Sequence, residues 1–324
     1  MPSRIDETMA PFPDDVPVAD IYEVDYEKLA AGDKEEARKV FDASRGYGFF
    51  YLANTHINYQ YMFDVAQETF DLPLDEKMKY EMGNMGGYFG YKMGGSNYID
   101  DKGTPDNMQF YNVAKDDVMR IGKYKDEPLA HPETIKRRRG ELEEFMQACH
   151  AVTVVILRVL GEQLGLDPET LPNMHKLDEP SVDQARVTFA EPCSDKRIAF
   201  GEHTGMEFQQ LVSINQVLTS VDFGSVTVLF NKLGGLQVIN PNSYDWKYVK
   251  PRADCKYHPS SLSTSSTTKI GILYRRHHKP RRRNSQTRRR PTLQRRPPRN
   301  GPARRASRIT TPFGRLLFAS EQPC

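Results

Sequence analysis

The sequence predicts an α+β protein on three observations. Residues Glu141–Leu164 repeat apolar side chains at three- and four-residue steps, the period of one helix face. Arg186–Cys193 alternates in character, and Asp222–Phe230 opens an apolar run, both over strand lengths. A break in charge separates a folded body from a tail. Of the 45 Lys+Arg, 19 lie in residues 251–324, with only 2 of the 43 Asp+Glu, which leaves 26 against 41 in residues 1–250. So sharp an asymmetry marks two kinds of sequence in one chain.

The 324 residues are 38% hydrophobic and 10% aromatic, enough for one large domain with a real core. The first residues are polar and acidic, so no secretory signal is expected. The longest apolar run, Ala151–Leu160, is interrupted by Thr153 and Arg158, well short of the roughly 20 residues of a membrane helix. No membrane association is expected. Cys149, Cys193, Cys255 and Cys324 are scattered without C-x-x-C pairing, which points to a reducing, cytoplasmic setting.

Residues 1–15 read as a flexible arm. Val16–Ile21 reads as a strand entering an amino-terminal region, 16–130. Asp33 is placed as an N-cap with Glu36 three residues on, a capping-box pattern, and Ala37, Val40, Phe41 and Ser44 share the face that follows. Gly46–Leu52 reads as a buried strand and Tyr59–Phe70 as a second helix ended by Leu72-Pro73-Leu74. Gly83–Gly103 is rich in Gly, Tyr, Met and Asn. It reads as a loop with aromatics on the core or as a lid with Tyr91 or Lys92 at a substrate. Phe110–Val113 reads as a strand. Region 131–252 begins with the basic run Lys136–Arg139, a solvated helix start. The long helix then carries Leu142, Phe145, Met146, Cys149, Val152, Ile156 and Val159, and Gly165 is a fitting C-cap residue. His150 and His175 carry no ligand spacing.

The decisive stretch is Arg197–Gly235. Gly201-Glu202-His203-Thr204 and Asp222-Phe223-Gly224-Ser225-Val226-Thr227 join without Gly205–Val221 to read GEHTDFGSVT, with His-x-Asp at the head of an apolar strand. His and a carboxylate one spacer apart, with a distant second His, make a 2-His-1-carboxylate set that holds non-haem Fe(II) on one face and leaves the other open. This join, with Gly-Gly-Leu-Gln-Val at 234–238 and Trp246, resembles the 2-oxoglutarate/Fe(II)-dependent dioxygenases of the isopenicillin-N-synthase-like family. The resemblance covers about residues 16–252, less the insert at 205–221.

The resemblance implies a double-stranded β-helix (jelly-roll) core flanked by helices, with the carboxy-terminal part of the barrel incomplete. It implies metal ligands His203, Asp222 and a distal His, for which His277 has a matching distance of 55 residues from Asp222. It implies that 2-oxoglutarate chelates the iron and is decarboxylated to succinate while O₂ oxidises a small organic substrate. Thr188 lies where the family touches 2-oxoglutarate; Ala190, beside it, cannot hydrogen-bond through its side chain. The family holds the far carboxylate with Arg-x-Ser, which Arg305-Ala306-Ser307 spells far downstream.

Two features depart from the family. The insert separates two ligands of one metal and reads like untranslated sequence left in the chain. Residues 253–324 are Ser/Thr-rich and then Arg-rich, a basic segment for which disorder is expected. Two alternatives stay open. One is a 2-oxoglutarate-independent iron oxidase of the isopenicillin-N-synthase type. The other is an inactive dioxygenase-like chain whose Arg clusters could grip nucleic-acid phosphates without reading sequence, although no folded nucleic-acid motif accompanies them. Tryptic mapping of the protein from its own source tests the junction. The peptide IAFGEHTDFGSVTVLFNK is expected; one carrying GMEFQQLVSINQVLTSV between Thr204 and Asp222 would establish the insert as part of the protein.

Overall fold

The computed structural model describes residues 12–85, 87–98, 103–190, 203–204, 220–221, 225–231, 236–252, 267–274 and 315–318, with the backbone alone at 203–204, 220–221, 231, 267–274 and 315–318. The amino-terminal elements are β1 (Glu23–Asp25), α1 (Tyr26–Ala30), α2 (Lys34–Arg45), β2 (Tyr51–Ala53), α3 (Gln60–Phe70) and α4 (Leu74–Met78). Next come β3 (Gly90–Lys92), β4 (Met108–Ala114), α5 (Lys115–Val118), α6 (Glu133–Lys136) and the long α7 (Arg139–Gln163). The later strands are β5 (Gln184–Ala190), β6 (His203–Thr204), β7 (Ser220–Val221), β8 (Val226–Asn231), β9 (Leu236–Ile239), β10 (Trp246–Tyr248), β11 (Thr267–Tyr274) and β12 (Arg315–Phe318).

Among the described residues two five-stranded sheets form the core, ordered β3-β4-β5-β11-β8 and β10-β9-β12-β6-β7. The first is antiparallel throughout. This is a jelly roll, a double sheet that manages its edges by packing face to face. Alternation along the strands sorts the residues of the first sheet. Ala185, Val187 and Phe189 of β5, Tyr111 and Val113 of β4, and Val226, Val228 and Phe230 of β8 join one cluster with the buried face of α7 and with Met62, Phe63 and Val65 of α3. Leu229 of β8 instead packs with Leu236 and Val238 of the second sheet, and Met108 with Ala190. The first group faces the helices; the second faces the barrel interior.

Several elements differ from their sequence reading. Val16–Ile21 is not a strand: Pro17 has no N–H to give a ladder, and the segment meets β10 through one bridge, Val18 to Tyr248. Gly46–Leu52 is not a strand over that length. Gly46 caps α2, its N–H reaching Asp42 and Ala43, and Gly48 has a φ of +77°, so only Tyr51–Ala53 pairs, parallel to β1. Asp33 does cap α2 through its Oδ1, at 2.8 Å from Glu35 N and 3.0 Å from Glu36 N. Glu36 does not close the capping box; its Oε2 accepts from Asp25 N at 2.9 Å and ties α2 to β1. By length and composition α7 qualifies for a membrane span, contrary to the short apolar run read from sequence. Leu142, Phe145, Met146, Cys149, Val152, Ile156 and Val159 are buried in the core, so it is the central helix of a globular domain.

The largest correction concerns the tail. Thr267–Tyr274 is the strand between β5 and β8, with Lys269 opposite Thr188 and Gly271 opposite Arg186. Arg315–Phe318 sits between β9 and β6. The Thr-Thr-Lys-Ile-Gly-Ile-Leu-Tyr run carries enough β-branched and apolar residues to pair where two strands would otherwise have free edges. The barrel expected to be incomplete thus has these two strands. The rest of 253–324 lies outside the described residues.

A buried polar network stands on the helix side. His131 touches Tyr111 OH through Nδ1 at 2.9 Å and Asp117 Oδ2 through Nε2 at 3.1 Å. Asp117 Oδ1 accepts from Leu129 N at 2.7 Å and from Arg120 at 3.3 Å. Burial pushes the Asp117 carboxyl up, but the His131 bond, the Leu129 amide and the charges of His131 and Arg120 outweigh it and hold the pKa below the ordinary 3.8. A depressed carboxylate stabilises the fold above its unfolded pKa, and that contribution fades as pH falls toward the folded value. Asp117→Asn is therefore expected to cost about 3 kcal/mol at pH 7. In urea titrations the deficit should shrink once the pH drops below the ordinary carboxylate value; an equal deficit at pH 7 and pH 3 would refute the ionised role.

Candidate functional site

The elements that would carry the expected iron site meet in the second sheet. His203 opens β6 and pairs with Leu316 of β12 and, in parallel, with Ser220 of β7. Val221, the last residue of the insert, lies against Thr204, and residues 205–219 lie outside the described residues. Asp222 is the next residue in the chain and lies outside the described residues, as do His277, Arg305 and Ser307. Among the described residues no three His, Cys, Asp or Glu side chains converge as a metal site. Only His203 of the expected triad falls within them, by its backbone.

Thr188 is described in full. It is buried in β5, opposite Phe110 on β4 and Lys269 on β11. Its alternation partners, Arg186 and Ala190, place it on the interior face rather than the helix face. Ala190 packs on Met108 there and offers no side-chain hydrogen bond.

Around Thr188 the interior face is polar and ordered. Lys92, at the end of β3, is 6% exposed and pairs with Asp106, and its Nζ also donates to Met108 O at 2.9 Å. Asp106 is 4% exposed, and its Oδ1 accepts from Gly95 N at 2.8 Å. Burial pulls the Lys92 pKa down, the Asp106 bond and charge oppose it, and the nearby Arg186 charge adds to the depression. Arg186 donates from Nε to Asn112 Oδ1 at 2.7 Å, and its guanidinium lies 4.3 Å from the centre of the Phe110 ring. Asn112, fully buried, donates from Nδ2 to Tyr88 O at 2.9 Å.

This arrangement divides the lid reading of Gly83–Gly103. Gly90–Lys92 is a buried edge strand, not a loop. Tyr91 belongs to the helix-side core and bonds Gln109 at 2.8 Å, so it does not face the barrel interior. Lys92 does. The basic run 136–139 is not merely solvated either. Arg137 and Arg138 bridge to Glu68 of α3, and Arg139 reaches Val118 O. His150 and His175 are committed to structure: His150 Nε2 meets His175 O at 2.5 Å, and His175 Nε2 meets Ser225 Oγ at 2.8 Å. Sequence reasoning passed over Arg186 and Asp106. Arg186 was findable, because it stands two residues from Thr188 and so shares its face. Asp106 was not, since its partner is 14 residues away through a loop.

Residues 16–138 match the family described as non-haem dioxygenase in morphine synthesis N-terminal. The chain is 27% identical over 241 residues to the 2-oxoglutarate-dependent dioxygenase frbH of Dothideomycetidae sp., covering 72% of this chain and 67% of that protein. It is 25% identical over 239 residues to the 2-oxoglutarate-dependent dioxygenase ecdG of Aspergillus rugulosus, covering 70% and 64%. The chain thus spans about two thirds of the length of these relatives. Its fold is similar to that of a putative 2OG-Fe(II) oxygenase family protein from Caulobacter crescentus, with a TM-score of 0.56 and 17% identity, over 80% of this chain and 74% of that one.

The Lys92–Asp106 pair yields a stability test. Asp106→Asn keeps the shape but strands a buried ammonium, which is expected to cost about 3–5 kcal/mol at neutral pH. A buried lysine binds its proton less tightly than an unfolded one, so the deficit should lessen as pH rises toward the ordinary lysine value. Denaturation midpoints of both proteins from pH 7 to pH 10 check this; a constant deficit would mean that packing rather than charge is lost.

Proposed function

We propose that the chain is a 2-oxoglutarate- and Fe(II)-dependent dioxygenase that oxidises a small organic metabolite with O₂, supported by the matching amino-terminal family model and the similar relatives. The observation that carries this reading is the pair of five-stranded sheets, similar in fold to a 2OG-Fe(II) oxygenase family protein, with His203 on a strand of the second sheet. When bound, the iron and its co-substrate supply the oxidising power that no side chain has. The chain's own part is narrower. His203 and Asp222 would hold the metal, with His277 as the candidate for the distal place. Two imidazoles and one carboxylate leave Fe(II) with net positive charge, which suits an anionic co-substrate. Thr188 would offer a hydroxyl to that co-substrate. The sheets and the α7 core keep bulk water away from the interior face. Arg305 and Ser307 carry the far-carboxylate role by spelling alone.

The names of relatives support a small-molecule substrate. The scattered cysteines, with Cys149 a buried free thiol, support the cytoplasm. The alternative of an oxidase that needs no 2-oxoglutarate is separated by product analysis. Purified protein given Fe(II), ascorbate, O₂ and 2-oxoglutarate should release succinate. His203→Ala should lower that release by at least about a hundredfold, as loss of a metal ligand removes the reaction's oxidant. Succinate formation equal in both proteins would remove His203 from the site, and none in either would favour the oxidase or the inactive chain.

A further inference from the structure

We propose that Gln184 is a specificity-determining residue on the interior face of the barrel, whose side-chain amide accepts a hydrogen bond from an N–H or O–H group of the organic substrate. The proposal deepens the dioxygenase reading and rests on it for what enters the barrel. The residue itself is argued from the fold.

Gln184 opens β5, and its place on the strand sets its direction. Ala185, Val187 and Phe189 pack with the helices, so alternation turns Gln184 to the other face, with Thr188 four residues on. The residue is 1% exposed, and among the described residues its Oε1 is buried without a hydrogen-bond partner. Its neighbour across the ladder on β4 is Ala114, also buried, whose methyl group has nothing to donate. A buried amide oxygen that lacks a donor destabilises the fold, and an apolar side chain of the same length would not. Native proteins leave few such atoms unpaired. The cost is accounted for when the donor arrives with a ligand. The last torsion of a glutamine is soft and two-fold, so the amide turns toward an incoming donor without moving the strand.

Two arguments assign that donor to the substrate rather than to the co-substrate. At neutral pH 2-oxoglutarate carries a keto group and two carboxylates, all acceptors, so it has no hydrogen to give Oε1. Thr188, the expected co-substrate contact, is about 13 Å away along the strand at the ordinary rise per residue. The row that holds Gln184 also opens at one end. Leu273 of β11 lies opposite Gln184, and Thr227 of β8 lies opposite Leu273. Thr227 alternates with Leu229, which packs on the second sheet, so it shares the interior face, and it is exposed.

Melting curves and ligand-detected NMR on the full chain loaded with Mn(II) test this, with Gln184→Met as the variant that keeps the length and removes the amide. Free of ligand, Gln184→Met is expected to melt about 2–4 °C higher than the wild type, because it relieves an unpaired buried group. The probes are phenol against anisole and 2-pyrrolidinone against its N-methyl form, pairs in which methylation removes the donor. The wild type should bind the donor of at least one pair about tenfold more tightly than its methylated partner, and the variant should bind both alike. The affinity for 2-oxoglutarate should be the same in both proteins. A variant that melts at or below the wild-type temperature overturns the proposal, since the amide is then satisfied within the fold. So does a wild type that draws no distinction within either pair, binding of neither member included. A tenfold loss of 2-oxoglutarate affinity in the variant overturns the assignment to the substrate. A wild type that binds no 2-oxoglutarate sinks the dioxygenase reading instead, while the melting and probe comparisons still decide the role of Gln184.

Discussion

The pleat of β5 is the constraint on which the rest depends. Successive side chains on a strand point to opposite faces, with no exception that does not break the ladder. In Gln184–Ala190 this forces Ala185, Val187 and Phe189 against the helices and turns Arg186, Thr188 and Ala190 to the barrel interior. A slip of one residue would bury a guanidinium on the helix side, where Phe189 meets Phe70 of α3, and put valine on the polar face. Both neighbours hold the register, β4 on one side and β11 on the other, with seven partnered positions each.

The helix side supplies the stability that lets the interior face stay polar. α7 lays an apolar stripe along β8, where Phe145 meets Phe230 at 5.5 Å and Tyr61 at 6.5 Å. Glu68 gathers Arg137 and Arg138, joining α3 to the start of α7. The Asp117–His131–Tyr111 chain bonds beside β4, and Lys115, just after β4, donates to Leu177 O and Glu179 O. Buried polar groups carry a cost unless bonded, and here they are spent on anchoring loops to the sheet rather than on chemistry.

Much of this was legible because local rules and the final fold agree. The period of Glu141–Leu164 is a helix face, and the structure uses it as one. Asp33 caps α2 as its side chain predicts. His203 and Asp222 drew notice through residues that flank them on both sides, while Asp222 lies outside the described residues. Errors came where a local pattern had two uses. Gly46-Tyr47-Gly48 looks like the approach to a strand and is a helix stop. Tyr91 and Lys92 look like a pair in a lid and point to opposite sides of an edge strand. Thr267–Tyr274 was hidden by its Ser/Thr- and Arg-rich surroundings, because composition averaged over a window conceals eight residues that pair well.

The sequence by itself determined the α+β class, the main helices, the split in charge and the His203/Asp222 join that resembles iron dioxygenases. These follow from periodicity, capping chemistry and residue spacing, which are local along the chain. Only the tertiary structure decided which side of β5 meets the barrel, that Lys92 belongs to Asp106, that Arg186 lies on Phe110, and that two strands from the basic tail pair within the sheets. Each of those depends on partners far apart in sequence. Strand register and side-chain pairing across a sheet are set by the competition among all available edges, and no local pattern contains that information.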